Sequence, residues 1–287
     1  MRLHSKLYVA ALLFGGRALS AQSQPGLTFD VYTRGVSGGD SATNVIHMKA
    51  TANALRMEFE KRPASGQYRG LPVGDHGVVI VRSTGAELII LDRDKKQYMT
   101  IKPLEMMAGA RQIMESMGGS MTFDSAASSF HVDSVGPGPT IDRHNTIKYR
   151  VTSHTKLRIA MMGQEQTVET QLVSESDNAV DLAEFGNTMG PGAGVRDMVQ
   201  SMAQTVGLPK DFLDQASKEG RKMKGFPLHS ERQTTSTTPN GTRTSSETTD
   251  TKNVRRASIP DSEFAAPADY KLMPFPLGPR PPSPDRN

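Results

Sequence analysis

Leu55, Met57 and Phe59 alternate with Arg56, Glu58 and Glu60. A residue-by-residue switch between apolar and charged side chains suits one conformation, an extended strand with one face buried and the other wet. A strand of this kind needs an antiparallel neighbour. Asn44 to Ala50, with Ile46 and Met48 on one side, is predicted to supply it across a turn at Thr51–Asn53. Val78-Val79-Ile80-Val81 and Leu88-Ile89-Ile90-Leu91 are apolar on both faces. They read as central strands covered on two sides, joined at Ser83-Thr84-Gly85. Asp92 to Lys96 is a charged turn leading to a strand over Gln97–Ile101.

At Pro103 the period changes. Proline suits the first turn of a helix, and Met106, Met107, Ala110, Ile113, Met114 and Met117 then recur on one helical stripe until Gly118-Gly119. Alternation resumes with Ile147, Tyr149 and Val151, with Leu157, Ile159 and Met161, and with Val168, Thr170 and Leu172. Gly190-Pro191-Gly192-Ala193-Gly194 leads into a second helical stripe of Val195, Met198, Val199, Met202 and Val206. Pro209 opens a short helix with Phe212 and Leu213, and Gly225-Phe226-Pro227 returns the chain to strand. Residues 229–254 form a Thr- and Ser-rich hairpin around Asn240-Gly241, expected to stand largely in solvent. Strands, helix, strands, helices, strands: this order predicts one α+β domain with an antiparallel sheet.

The ends read differently. Arg2, His4 and Lys6, the apolar run Leu7–Phe14 and the small residues before Ala21 make residues 1–21 an export signal. Arg2, Lys6 and Arg17 carry three of the net +4, leaving +1 after Ala21, so the basic balance does not point to nucleic acid. The single domain spans 22–273, with a helical insert at 186–224 and the polar hairpin at 229–254. Six prolines in 274–287 mark an extended tail. No later stretch is long and apolar enough to be a transmembrane segment.

Motifs for chemistry are sparse. The chain has no cysteine, which excludes thiol catalysis and Cys-based zinc sites. Its seven His make no His-x-x-x-His pair, and no Gly-x-Ser-x-Gly elbow exists. Gly190, Gly192 and Gly194 lack the Lys-Ser/Thr of a phosphate loop and read as a hinge. Asp92 and Asp94 belong to a solvated turn, and Asn240-Gly241-Thr242 reads as a turn rather than a glycosylation acceptor.

Three passages resemble a known group. Asn53-Ala-Leu-Arg-Met-Glu-Phe59 looks like an early strand of secreted bacterial proteins with a LolA-like fold. Ile89 through Ile101, ending at Pro103, looks like their charged hairpin before a helix. Gly225-Phe-Pro-Leu228 and Val254 through Met273, with Phe264, Pro267 and Tyr270, look like their closing strands. The resemblance implies a strongly curved antiparallel sheet, an incomplete barrel, with helices covering its concave face. It also implies a non-enzymatic, monomeric protein of the bacterial envelope, periplasmic or secreted, without cofactor or metal. The expected ligand is a lipid or a lipoprotein acyl chain. Methionine adapts its shape to such a ligand. Leu55, Met57, Phe59, Met106, Ile113, Met114, Met117, Met198 and Met202 are the expected lining, with a lid hinged at Gly190, Gly192 and Gly194. The rival expectation is an envelope interaction protein with a filled core, whose hairpin and tail meet a partner.

Overall fold

The computed structural model describes residues 23–37, 40–62, 73–82, 87–161, 163–186 and 208–274. They build one sheet of thirteen strands in the order β13-β6-β5-β4-β3-β2-β1-β12-β11-β10-β9-β7, with β8 also on β9. The strands are β1 (Ser23–Ser37), β2 (Asp40–Thr51), β3 (Ala54–Phe59), β4 (Val78–Arg82), β5 (Glu87–Asp92), β6 (Gln97–Ile101), β7 (Ser120–Phe123), β8 (Ser129–Pro137), β9 (Thr146–Met161), β10 (Gln164–Ala179), β11 (Phe226–Thr238), β12 (Gly241–Pro260) and β13 (Lys271–Leu272). The sheet is open, not closed into a barrel. Its pairs are antiparallel except β13 on β6, which is parallel, so the sheet is mixed where an antiparallel one was expected. After the turn at Pro267–Tyr270, Lys271 and Leu272 run alongside Gln97 and Tyr98 in the same direction. Among the described residues helices are few: α1 (Pro103–Ser116), α2 (Lys210–Gly220) and two 3-10 turns, Val180–Phe185 and Asp261–Phe264.

The β1–β6 half follows the alternation closely. Met57 lies opposite Met48 and Val79, and Ile90 lies opposite Val79 and Met99. These residues share what we call the Leu55 face. There Leu27, Phe29, Ile46, Met48, Leu55, Met57, Phe59, Val79 and Ile90 join one core with Leu182, Phe185, Phe226 and Leu228. On the opposite, Arg56 face, Val78, Ile80, Ile89 and Leu91 pack with Ile259 and Phe264, and Tyr98 and Tyr270 rest against them. The chain's closing segment is therefore the cover of β4 and β5. Burying one such side chain contributes about 1.5–3 kcal/mol. Gly26 is required where β1 meets β2, since a Cβ there would lie 2.4 Å from the Ala50 carbonyl oxygen.

Three local expectations change. β9 is one strand of 16 residues, not two short ones, because β10 pairs with it from Gln164 to Ala179. The β11–β12 turn centres on Pro239-Asn240, with Thr238 opposite Gly241, so Gly241 (φ +124) opens the returning strand. The hairpin does not project into solvent as a free ribbon. β11 pairs with β10 and β12 with β1, since backbone pairing asks for extended Thr and Ser, not for apolar side chains. Its side chains are nonetheless exposed or half-buried over most of its length.

Candidate functional site

Because neighbours in register share a face, the two faces of β8–β12 can be read residue by residue. The Arg56 face is a field of cross-strand ion pairs. Lys148, Asp177, His229 and Asp250 stand in one row, with Lys148–Asp177 at 3.4 Å and His229–Asp250 at 2.8 Å. Arg150 meets Glu175 at 2.6 Å and Lys156 meets Glu169 at 2.9 Å. The Arg150 and Lys156 hydrogen bonds hold the Glu175 and Glu169 carboxyls below their ordinary values.

The Leu55 face of the same strands is different. One row runs Val132, Val151, Ser174, Arg232, Glu247. The next runs Phe130, Ser153, Leu172, Thr234, Ser245. Beyond lie Phe123, Leu157 and Val168, then Met121 and Ile159. Val151, Leu157, Ile159, Val168 and Leu172 are half-buried, so the apolar surface here is only partly covered. Hydroxyls of Ser153, Thr155, Thr170, Ser174, Thr234 and Ser245 lie among them on half-buried positions.

α2 closes the outer margin. Phe212 packs on Phe123 with ring centroids 4.7 Å apart. Glu219 Oε2 accepts the Val132 N–H at 2.9 Å and Lys222 Nζ at 2.7 Å. These bonds, from Lys222 first, hold the Glu219 carboxyl below its ordinary value. Helix side chains thus take the place of a further strand on β8.

A shallow depression of about 430 Å³ lies elsewhere, lined by Thr28, Asp30, His47, Lys49, Glu58, Asn253 and Arg255 among others. It forms where the β1–β12 register shifts between Thr28 and Asp30 and Asn253 takes φ +57. Its charged groups are mostly committed to neighbours. Asp30 accepts from Asn253 at 2.7 Å and lies 2.7 Å from His47, Glu58 meets Arg56 at 2.7 Å and also Arg93, and Lys49 meets Glu263 at 3.0 Å. It is an ion-paired dent at a bulge, to which Phe29 and Met48 also contribute.

The expected lining residues separate into three groups. Leu55, Met57 and Phe59 sit in the core at 9%, 6% and 2% exposure. Met106 and Ile113 on α1, and Met117 just past its end, stand at 40%, 61% and 45% exposure. Met114 lies on α1 but its side chain is outside the described residues, as are Met198, Met202, Gly190, Gly192 and Gly194. Val151, Leu157, Val168 and Leu172 belong to alternations visible in sequence, but nothing local marked them as a surface. Arg232 and Arg243, inside the polar hairpin, carried no signal at all. Among the described residues no three His, Asp or Glu gather as metal ligands, and no helix is long and apolar enough to cross a membrane.

No family model matches the chain, and no curated protein does. Solved structures that match include the LolA superfamily protein NE2245 from Nitrosomonas europaea, of the group that the sequence passages resemble. It is 8% identical, over 86% of this chain and 91% of that one, at a TM-score of 0.28. A DUF1329 family protein from Desulfovibrio piger is 10% identical over 85% and 90% of the two chains, at 0.29. PNGF-II matches 87% of this chain at 11% identity and a TM-score of 0.29, but the chain spans only 31% of its length.

Proposed function

We propose that this protein is an exported, non-catalytic binder of the apolar chain of a lipid or an acylated protein, which it holds against the Leu55 face of β9 and β10. The observation that carries this reading is the asymmetry of that half-sheet. One face presents cross-strand ion pairs, and the other presents half-buried Val151, Leu157, Ile159, Val168 and Leu172 among hydroxyls. Water suits the first face; an apolar chain suits the second. Each methylene buried gains about 0.8 kcal/mol.

Topology supports a curved sheet around such a ligand. β6 and β7 stand ten steps apart in the strand order, which is about 48 Å in a flat sheet at ~4.8 Å per step. The link between them, 102–119, holds the 14-residue α1, about 21 Å long at 1.5 Å per residue. The six Cα steps outside the helix, between Ile101 and Ser120, add at most about 22 Å. A link of about 43 Å falls short of a flat sheet of this width, which supports a bent sheet with α1 as a strap between its two ends. The exposed Met106, Ile113 and Met117 of that strap would face the ligand's free side. The β1–β3 part is better read as filled core, since Leu55, Met57 and Phe59 are buried by their own neighbours.

The test is native mass spectrometry of the protein from its own envelope, followed by uptake of added fatty acid by wild type and Leu172→Glu. A lipid adduct and at least about tenfold weaker uptake by the variant are expected, from losing roughly two methylenes' worth of contact. A bare mass with no uptake by the folded wild type would sink the reading in favour of the filled-core interaction protein.

A further inference from the structure

The half-open Leu55 face of β9–β12 is nearly free of charge. From β9 through β11 and residues 241–251 of β12, its charged residues are Arg232, Arg243 and Glu247. The Arg56 face of the same strands carries Lys148, Arg150, Lys156, Glu169, Glu175, Asp177, Glu231 and Asp250, most of them engaged in ion pairs. On the Leu55 face the charges behave differently. Arg232 lies directly opposite Glu247, and Arg243 opposite Ser236, yet among the described residues none of these three side chains makes a hydrogen bond or ion pair. Both guanidiniums are exposed.

An arginine that does not take the carboxylate across from it keeps its donor fork for something else. Around the two arginines stand the hydroxyls of Thr170, Ser174, Thr234, Ser236 and Ser245, each able to donate to an oxyanion. Leu172 and Val151 adjoin them on the same rows, and Leu157 and Val168 lie one step further. Guanidinium and hydroxyl donors next to a partly covered apolar wall match a molecule with one anionic end and one apolar tail.

We propose that Arg232 and Arg243 receive the anionic head group of a single-chain amphiphile whose tail lies across Leu172, Val151, Leu157 and Val168. This rests on the apolar-chain reading above and adds the charge and place of the head group. Glu247 is the tuning group: opposite Arg232, it opposes a second anion and weakens the site.

Isothermal titration of the full chain with monododecyl phosphate, with dodecanol and with inorganic phosphate alone tests it. Dodecyl phosphate is expected to bind about tenfold more tightly than dodecanol, as two partly exposed charge-assisted contacts allow. Arg232→Gln with Arg243→Gln should erase that difference and leave dodecanol binding unchanged. Glu247→Gln should tighten dodecyl phosphate alone. Arg232 and Arg243 are exposed and Glu247 is half-buried, and circular dichroism checks that each variant folds. Equal binding of the charged and uncharged chains, or a preference that survives the double variant, overturns the head-group assignment only. Inorganic phosphate binding as tightly as dodecyl phosphate also overturns it, as a site for the anion alone. Failure of both chains to bind overturns the assignment together with the apolar-chain reading.

Discussion

Phe29 and Phe226 meet edge to face, with ring centroids 5.1 Å apart and planes at 79°. One ring comes from β1 near the start of the described chain, the other from the first residue of β11, and both are buried, at 3% and 0% exposure. The pair fastens the Leu55-face core to the segment that follows α2.

Phe226→Ala should therefore cost about 3–5 kcal/mol, the usual range for emptying a buried aromatic site. Urea unfolding measures it. A loss under about 1 kcal/mol would mean that the neighbours collapse into the space and that the pair does not join the two parts.

His47 lies 2.7 Å from Asp30 and 3.2 Å from Glu60. The Asp30 hydrogen bond raises its pKa above the ordinary 6.5, against a smaller opposing effect of burial. A raised histidine pKa stabilises the fold fully below 6.5 and loses that stabilisation as pH rises through the folded value. Asp30 is the opposite case. Burial pushes its carboxyl up, but hydrogen bonds from Asn253 and His47 outweigh this and hold it below 3.8, so its contribution fades only in acid. The stability difference between wild type and His47→Gln should shrink from pH 6 toward alkaline pH. A difference that stays constant across neutral pH would show that the pair contributes nothing through His47's charge.

Glu219 caps an open edge. Its carboxylate holds the Val132 N–H at 2.9 Å, and Lys222 Nζ reaches the Val132 carbonyl oxygen at 3.4 Å. An uncapped edge strand is a template for pairing with other chains. Glu219→Ala should lower hydrogen-exchange protection of the Val132 amide by about tenfold or more and promote self-association visible by light scattering, while Glu219→Gln, which keeps an acceptor, should do neither. Unchanged protection in the alanine variant would show that α2 shields this edge by packing alone.

Much of the β1–β6 half is legible in the amino-acid order alone. Leu55, Met57 and Phe59 fall on the buried side as their alternation requires, Pro103 opens α1, Gly118 (φ +71) ends it, and Phe264 and Tyr270 pack where their spacing placed them. The candidate face is less legible. Val151 and Leu172 sit in recognisable alternations, but an apolar side of a strand is a core or a surface depending on what lies over it. Arg232 and Glu247 stand fifteen residues apart in a stretch that looks uniformly polar, and only the β11–β12 register puts them side by side.

By itself, then, the sequence determined the local states: which segments extend, which coil, and which side of each strand is apolar. These follow from side-chain periodicity and backbone preference, properties of a few consecutive residues. Tertiary structure alone decided that β12 lies between β1 and β11, that the closing segment covers β4 and β5, and that two arginines of a polar hairpin share a face with Leu172. Strand order and register are set by pairing between residues far apart along the chain. Polar strands, having no apolar side to bury, leave that choice to backbone hydrogen bonds that any extended sequence can make.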